Sequence, residues 1–78
     1  MKYVIATADN VGYDINLSEP VETLDEAKNL LKQTFKSIKE DVGDSLVKEE
    51  TKLYARSFKI SSFNGDLYYG QIKEIGGK

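Results

Sequence analysis

The alternation of apolar and polar positions predicts a β-hairpin at the start of the chain. From Lys2 to Ala8 the residues are β-branched, aromatic or small and are apolar on both faces, which is typical of a strand inside a sheet. Turn-forming residues follow at 9–12. Apolar and polar side chains then alternate, which predicts a second strand with one face in water; its apolar positions are Tyr13, Ile15 and Leu17. Pro20 ends this hairpin because it has no amide hydrogen to donate to a ladder.

A capping box predicts a helix that begins after Thr23. The Thr23 hydroxyl is placed to accept from the Glu26 amide while the Glu26 carboxylate reaches back to the Thr23 amide. Apolar residues then recur every three or four positions, so one stripe of the helix faces a core. Gly43 ends the helix. The stripe consists of Leu24, Ala27, Leu30, Leu31, Phe35, Ile38 and Val42.

A second hairpin is predicted after the helix. Aromatic and apolar residues return from Leu53 to Ser62, Asn64-Gly65 is a strong hairpin turn signal, and residues 67–75 form the return strand. The intervening segment 44–52 is compatible with one helical turn or with a charged loop.

Two registers of this second hairpin are open. A two-residue turn at Asn64-Gly65 pairs Ile60 with Tyr69, whereas a three-residue loop with a bulge at Gly65 pairs Ile60 with Tyr68. Because neighbouring side chains on a strand point to opposite faces, the register decides which tyrosine is buried and which is displayed.

The order of elements predicts an α+β fold. Two strands, a helix and two strands form a two-layer ββαββ unit, in which a four-stranded, largely antiparallel sheet packs on one helix. If the terminal strands meet in the middle, the sheet is β-grasp-like; the alternative is a meander. We expect residues 1–75 to form a single globular domain and 76–78 a flexible tail.

Composition narrows the chemistry that this chain of 78 residues supports. It has 40% hydrophobic and 31% charged residues, which is typical of a soluble globular domain. It has no Cys and no His, which excludes disulfides, thiolate nucleophiles, Ser/His/Asp triads and cysteine or histidine metal sites. Isolated glycines form no phosphate loop, and the turn residues do not match a calcium loop. We therefore expect a cytoplasmic protein that is not an enzyme and has no cofactor, metal or membrane partner.

Acidic residues cluster on both sides of the predicted helix. Residues 19–26 and residues 40–50 each carry a net charge of −4, although the whole chain carries only −2. Such clusters orient and speed association with a basic partner, although charge runs on a helix are also its ordinary solvated side. The candidate partner-binding residues are Glu40, Asp41, Asp44, Glu49 and Glu50, together with Tyr69.

Lysines on the helix suggest an alternative. They recur at a spacing that forms a stripe like those that contact nucleic-acid phosphates. The overall acidity, with a pI near 5.0, opposes this interpretation, so we do not expect direct nucleic-acid binding. The lysines of this alternative are Lys28, Lys32, Lys36 and Lys39.

Tyrosine content suggests an exposed contact surface. The chain has five tyrosines, and tyrosine is a favoured anchor in protein interfaces. An exposed tyrosine of the Tyr68-Tyr69 pair, sitting with Phe63 or Leu67 on the open sheet face, would offer an apolar patch to a partner or to a second copy of the chain. The alternative is that these tyrosines have no binding role and occur on an outer face because tyrosine favours β-strands.

In layout the chain resembles the small acidic single-domain proteins of phages and other mobile elements, including anti-CRISPR-type inhibitors. The shared features are its length, acidity, lack of Cys and His, and the succession of a hairpin, a TLDEAKNLL helix and an NGD hairpin. The resemblance implies an inhibitor or regulator and assigns no site residue. We therefore expect a non-enzymatic protein-interaction module that acts through its acidic segments; the alternatives are a nucleic-acid-binding protein and a homo-oligomeric structural protein.

Overall fold

The computed structural model describes residues 2–12 and 14–76. Two 3₁₀ turns, Gly43–Ser45 and Lys48–Glu50, separate the helix from the strands that follow it. Tyr13 of the predicted second strand and residues 77–78 of the predicted tail lie outside the described residues. In chain order the strands and the helix are β1 (Lys2–Asp9), β2 (Ile15–Leu17), α1 (Leu24–Val42), β3 (Lys52–Leu53), β4 (Ser57–Ser61) and β5 (Leu67–Ile75).

The fold is α+β, with α1 packed on one antiparallel sheet. The sheet has five strands in the order β2-β1-β5-β4-β3, not the predicted four. The extra strand arises because the stretch predicted as one strand bends at residues 54–56, where the Tyr54 amide donates to the Ser57 carbonyl at 2.7 Å. The terminal strands β1 and β5 are neighbours at the centre of the sheet, which excludes the meander.

The helix has the predicted bounds and caps. The Thr23 hydroxyl accepts from the Glu26 amide at 3.1 Å, and a Glu26 carboxylate oxygen accepts from the Thr23 amide at 3.2 Å. Gly43 follows the last helical residue with a φ of 62°, a conformation that favours glycine. The described part of the chain contains no helix long and apolar enough to cross a membrane.

The hydrophobic core lies between α1 and one face of the sheet, which we call the helix face. Ile5 of β1 and Phe58 and Ile60 of β4 are at most 2% exposed and pack against Ala27 and Leu31 of α1. These side chains recur at every second strand position and every fourth helix position, the two periods that a sheet and a helix require for a shared core.

Gly70 of β5 leaves room for the largest side chain of the core. It pairs with Phe58, and a β-carbon added at Gly70 would lie 2.3 Å from the Phe58 ring. The ring also packs against Phe35 of α1, with 5.5 Å between ring centroids. The lack of a side chain at Gly70 therefore allows the aromatic pair to lie between helix and sheet.

The second hairpin adopts the register of the three-residue loop. Ile60 pairs with Tyr68, the Ser62 amide donates to the Asp66 carbonyl at 3.0 Å, and Gly65 has a φ of 91°. By strand alternation, Tyr68 points to the helix face and Tyr69 to the opposite face. Tyr69 is 44% exposed, so it is the displayed tyrosine of the pair.

The segment 44–52 is neither one helical turn nor a plain charged loop. Between the two 3₁₀ turns Leu46 forms a single bridge with Ser62, and the Val47 amide donates to the Ser61 carbonyl at 2.9 Å. The Thr51 hydroxyl accepts from the Ser61 amide at 3.2 Å. The segment is thus held along β4 before it enters β3.

The first hairpin is present, but its second strand does not bury its apolar positions. Ile15 is 75% exposed and Leu17 is 67% exposed. β2 pairs with the outer edge of β1 so that these side chains lie beside Ala8 and Ala6, on the face that α1 does not cover. The expectation that the apolar side of this strand would be the dry one is therefore wrong for the residues described.

Candidate functional site

The sheet has a second face, opposite α1, which we call the open face. Pairing across the strands aligns its side chains in rows. One row contains Ala8 and Tyr69, and the next contains Ala6 and Gln71. The rows continue on β2 with Ile15 and Leu17, and on β4 with Lys59 and Ser57.

The open face is concave and forms a groove of about 720 Å³. Ala6 and Ala8 are small, so the surface of β1 is low between the larger side chains of β2 and β5. Tyr54, which follows β3, is 54% exposed at the far side. We call this site the open-face groove; its lining is Ala6, Thr7, Ala8, Ile15, Leu17, Tyr54, Ser57, Phe58, Lys59, Tyr69, Gly70, Gln71 and Lys73.

The charge of the open face is positive. Lys59 and Lys73 line the groove, and Lys52 pairs with Lys59 and so shares its face. Lys2 also lies on this face, but its ammonium is 3.8 Å from the Glu22 carboxylate. Among the strand positions that the structure describes, no Asp or Glu points to the open face. A chain with a net charge of −2 therefore carries a basic groove.

The predicted acidic contacts lie elsewhere in the fold. The helix ends with Glu40 and Asp41 near its last turn, and the other three carboxylates belong to the 3₁₀ turns. All five side chains are exposed. Tyr69 points to the open face, whereas Glu40 and Asp41 belong to α1, which packs on the opposite face of the sheet. The acidic set, which we call the acidic segment, is Glu40, Asp41, Asp44, Glu49 and Glu50.

Tyr68 shows that carboxylates gather on the helix side. Burial raises the pKa of the Tyr68 phenol above its usual value of 10.0, and the negative charges of Asp66, Asp9 and Asp41 raise this pKa further. Both effects stabilise the neutral phenol. Three carboxylates therefore lie near the Tyr68 phenol on the helix side, whereas the described strand positions of the open face carry lysines and no carboxylate.

The helix lysines are not one uniform exposed stripe. Lys32 and Lys36 are exposed, whereas Lys28 and Lys39 are half-buried. The Lys39 ammonium lies 5.1 Å from the centroid of the Phe35 ring, a cation–π contact. These lysines lie on the helical layer, away from the open-face groove.

The predicted turn chemistry around residue 9 ties the two hairpins together. The Asp9 carboxylate accepts from the amides of Val11 and Gly12 at 3.1 and 3.0 Å. The Asn10 side chain accepts from the Leu67 amide at 2.8 Å and donates to the Gly65 carbonyl at 3.0 Å. These bonds hold the end of β1 against the start of β5, and so fix one end of the groove.

Sequence reasoning found part of this site. It anticipated an apolar patch around an exposed tyrosine, together with Phe63 or Leu67. In the structure Leu67 lies two positions before Tyr69 on β5 and so shares its face, whereas Phe63 lies in the hairpin loop. The cross-strand neighbours of Tyr69 are Ala8 and Lys59.

The missed residues include Ile15 and Leu17 and the groove lysines Lys59 and Lys73. The signal that could have found Ile15 and Leu17 is β1, which is apolar on both faces although the chain has only one helix to cover it.

Comparisons of this chain with known protein families, with curated protein sequences and with solved structures find no match.

Proposed function

We propose that this chain is a small non-enzymatic protein-interaction module whose main contact surface is the open-face groove. The observation that carries the proposal is the exposure of Ile15 and Leu17 on one concave face. Moving such a side chain fully from water into an apolar contact is favourable by roughly 1.5–3 kcal/mol, before the costs of association. Contiguous exposed apolar surface rimmed by polar residues is typical of interaction sites.

The residues around the groove support binding rather than catalysis. Tyrosine supplies large contact area at a low cost in side-chain entropy, and Tyr69 and Tyr54 are both exposed at the groove. Tyr68, the group with a raised pKa, points to the helix face instead. An inhibitor or regulator of a host protein, as the resemblance to small phage proteins implies, belongs to this proposal.

The acidic segment is a second candidate contact surface. Its five exposed carboxylates would accelerate and orient docking on a basic protein, and such contacts weaken as salt rises. The two surfaces are separable by mutation because no residue of the acidic segment lines the groove.

A capture experiment from the cells that encode the chain tests the proposal. We expect a Ile15→Ser/Leu17→Ser variant to lose partners that the wild-type chain retains, because the apolar anchor is removed. The control is Gln33→Ser, an exposed position of α1. Nuclease treatment separates direct partners from nucleic-acid bridges. Equal recovery with the groove variant and the wild type would contradict the groove as the main contact surface.

The acidic segment is tested in the same experiment with its five carboxylates changed to the corresponding amides. We expect a partial loss of partner that is greatest at low salt. Full retention at low salt would remove the acidic segment from the proposal, and nuclease-sensitive recovery would favour the nucleic-acid alternative.

A further inference from the structure

The charge of the open-face groove defines the chemistry of its occupant. This inference rests on the proposed function. Lys59 and Lys73 line the groove, Lys52 stands beside Lys59, and the described strand positions of this face carry no carboxylate. In residues 2–12 and 14–76, the one salt bridge of this face is that of Lys2 with Glu22. A partner that covers the apolar floor must therefore bring carboxylates to the rim to avoid leaving these ammonium groups desolvated and unpaired.

The shape of the groove suits a helix. Its floor is β1, at Ala6 and Ala8, and its walls are on the two neighbouring strands, whose axes are about 10 Å apart. An α-helix is roughly 10–12 Å across with its side chains, so one helix would span the floor and contact both walls. Ile15 and Leu17 are two strand positions apart, or about 6.8 Å, close to the roughly 6 Å rise between residues i and i+4 of a helix.

A second copy of this chain does not fit the groove. Two open faces packed together would enclose Lys59 and Lys73 of both copies, and the described strand positions of this face offer no carboxylate to pair with them. The apolar stripe of α1 is already covered by its own sheet, since Ala27 and Leu31 are buried. Residues 2–12 and 14–76 therefore contain no unpartnered amphipathic helix to donate to a neighbouring copy.

Single-stranded nucleic acid fits less well than a protein helix. Base recognition on a sheet relies on aromatic side chains that stack with the bases. Here Ile15, Leu17 and the two alanines form one half of the groove and offer no π surface for stacking. The net negative charge of the chain also opposes a polyanion.

We propose that the open-face groove binds an amphipathic helix of a partner protein, with the apolar stripe of that helix on β1 and carboxylates on its flanks. The apolar anchors would contact Leu17, Ile15 and the Tyr69 ring. The carboxylates would pair with Lys59 and Lys73. This is the helix-in-groove mode of recognition, with specificity set by the sign of the rim.

Designed peptides test this inference. The probe is a fluorescent helical peptide with leucines at i, i+3, i+4 and i+7 and glutamates on both flanks. Its matched control has the same leucines with lysines in place of the glutamates, and a thymidine oligonucleotide is the polyanion control. Fluorescence anisotropy gives the affinity, and amide NMR shifts of the full chain locate the binding site. We expect saturable binding of the glutamate peptide, at least about tenfold tighter than the lysine peptide, with shifts on β1, β2 and β5.

Two matched variants locate the charge effect. Lys59→Glu/Lys73→Glu should weaken the glutamate peptide by about tenfold and strengthen the lysine peptide. Lys32→Glu/Lys36→Glu makes the same charge change on the exposed side of α1 and should leave both affinities nearly unchanged. Circular dichroism establishes that the variants are folded.

Each other outcome overturns the inference. Equal or tighter binding of the lysine peptide means that the partner is not acidic, and tighter binding of the oligonucleotide means that the face binds nucleic acid. Peptide binding without shifts on β1, β2 and β5 places the site elsewhere, and the absence of binding by any probe removes the groove as a helix site. The proposed function fails separately, when the Ile15→Ser/Leu17→Ser variant retains every captured partner.

Discussion

The two faces of the sheet differ in how far their large apolar side chains are covered. On the helix face, Ile5, Phe58 and Ile60 are at most 2% exposed. On the open face, Ile15 and Leu17 have apolar side chains of similar size, yet most of their surface is in water. The pattern of apolar residues thus predicts which positions share a face of the sheet. Whether that face becomes part of the core depends on whether a helix or another element packs on it.

The one α-helix of the described residues covers a single face of the sheet. A single helix of 19 residues provides one apolar stripe, and that stripe lies on the three central strands. Small domains bury a smaller share of their surface than large ones, so exposed apolar area is common in them. Here four of the large exposed apolar side chains line one concave groove with a basic rim; they are Ile15, Leu17, Tyr54 and Tyr69.

Truncating one large side chain on each face is expected to give the largest contrast. Phe58→Ala should lower the free energy of unfolding by about 4 kcal/mol, because it removes the ring that packs between α1 and the sheet. Leu17→Ala should lower it by less than about 0.5 kcal/mol, because Leu17 is 67% exposed. Urea unfolding followed by circular dichroism measures both.

Phe58→Ala would leave little stability in a marginally stable domain, so Ile60→Val is the milder substitution on the helix face. Ile60→Val should lower the free energy of unfolding by about 1 kcal/mol. A loss at Leu17→Ala as large as that at Ile60→Val would show that the open face is part of the core.

Gly70→Ala is expected to have the next largest effect. The added methyl group points to the helix face, where the Phe58 ring lies 2.3 Å from its position, so the ring must move from α1. We expect a loss of about 2 kcal/mol in urea unfolding. Gly76→Ala, with no atom within 4 Å of the added carbon, is the control and should be nearly neutral. A neutral Gly70→Ala would mean that the aromatic contact does not determine how tightly α1 covers its face.

Removing the N-terminal cap of α1 is expected to lower the free energy of unfolding by less than Gly70→Ala does. Thr23→Ala removes the acceptor for the Glu26 amide and should destabilise the fold by about 1 kcal/mol. Thr34 is a matched control within the same helix, because its hydroxyl only donates to the Leu30 carbonyl one turn earlier. Thr34→Ala should be neutral or slightly stabilising, since alanine has the higher helix propensity. Equal losses from the two substitutions, measured by urea unfolding, would argue against the cap.

The smallest expected effect is on the pH dependence of stability, through the Tyr68 phenol. The folded state holds the Tyr68 pKa above its usual value, so the fold is favoured by this group below pH 10 and loses that contribution as the pH rises through the higher folded pKa. Tyr68→Phe should therefore reduce the alkaline loss of stability. Ultraviolet titration of the wild type and the variant measures this: the tyrosine that the variant lacks should ionise above pH 10. If that tyrosine ionises at or below pH 10, burial and the carboxylates near Tyr68 do not stabilise its neutral phenol.

Local chemistry explains what could be predicted from the sequence. The helix bounds follow from the Thr23 cap and Gly43, and the hairpin loop follows from Asn64-Gly65, because each signal acts within a few residues. The pairing of Ile60 with Tyr68 required the structure, since both loop lengths satisfy the same turn residues.

Nonlocal competition explains the rest. β3 has only two residues, and it forms because the chain bends after Tyr54 and folds back on β4. Ile15 and Leu17 are exposed because α1 covers the other side of the sheet. The alternation of apolar and polar residues within β2 would be the same whichever side the helix covered. The pattern of apolar residues therefore could not predict the groove, although it did predict an exposed tyrosine in the Tyr68-Tyr69 pair.

The most direct test of the open-face groove as the contact surface is site-specific photocrosslinking in the cells that encode the chain. The crosslinker p-benzoylphenylalanine would replace Tyr69 in one variant, Gln33 on α1 in a second and Glu49 in the acidic segment in a third. The account predicts that a protein adduct forms efficiently at position 69, and that its yield falls when Leu17 is changed to Ser in the same chain. An adduct confined to position 33 or position 49 would contradict the account.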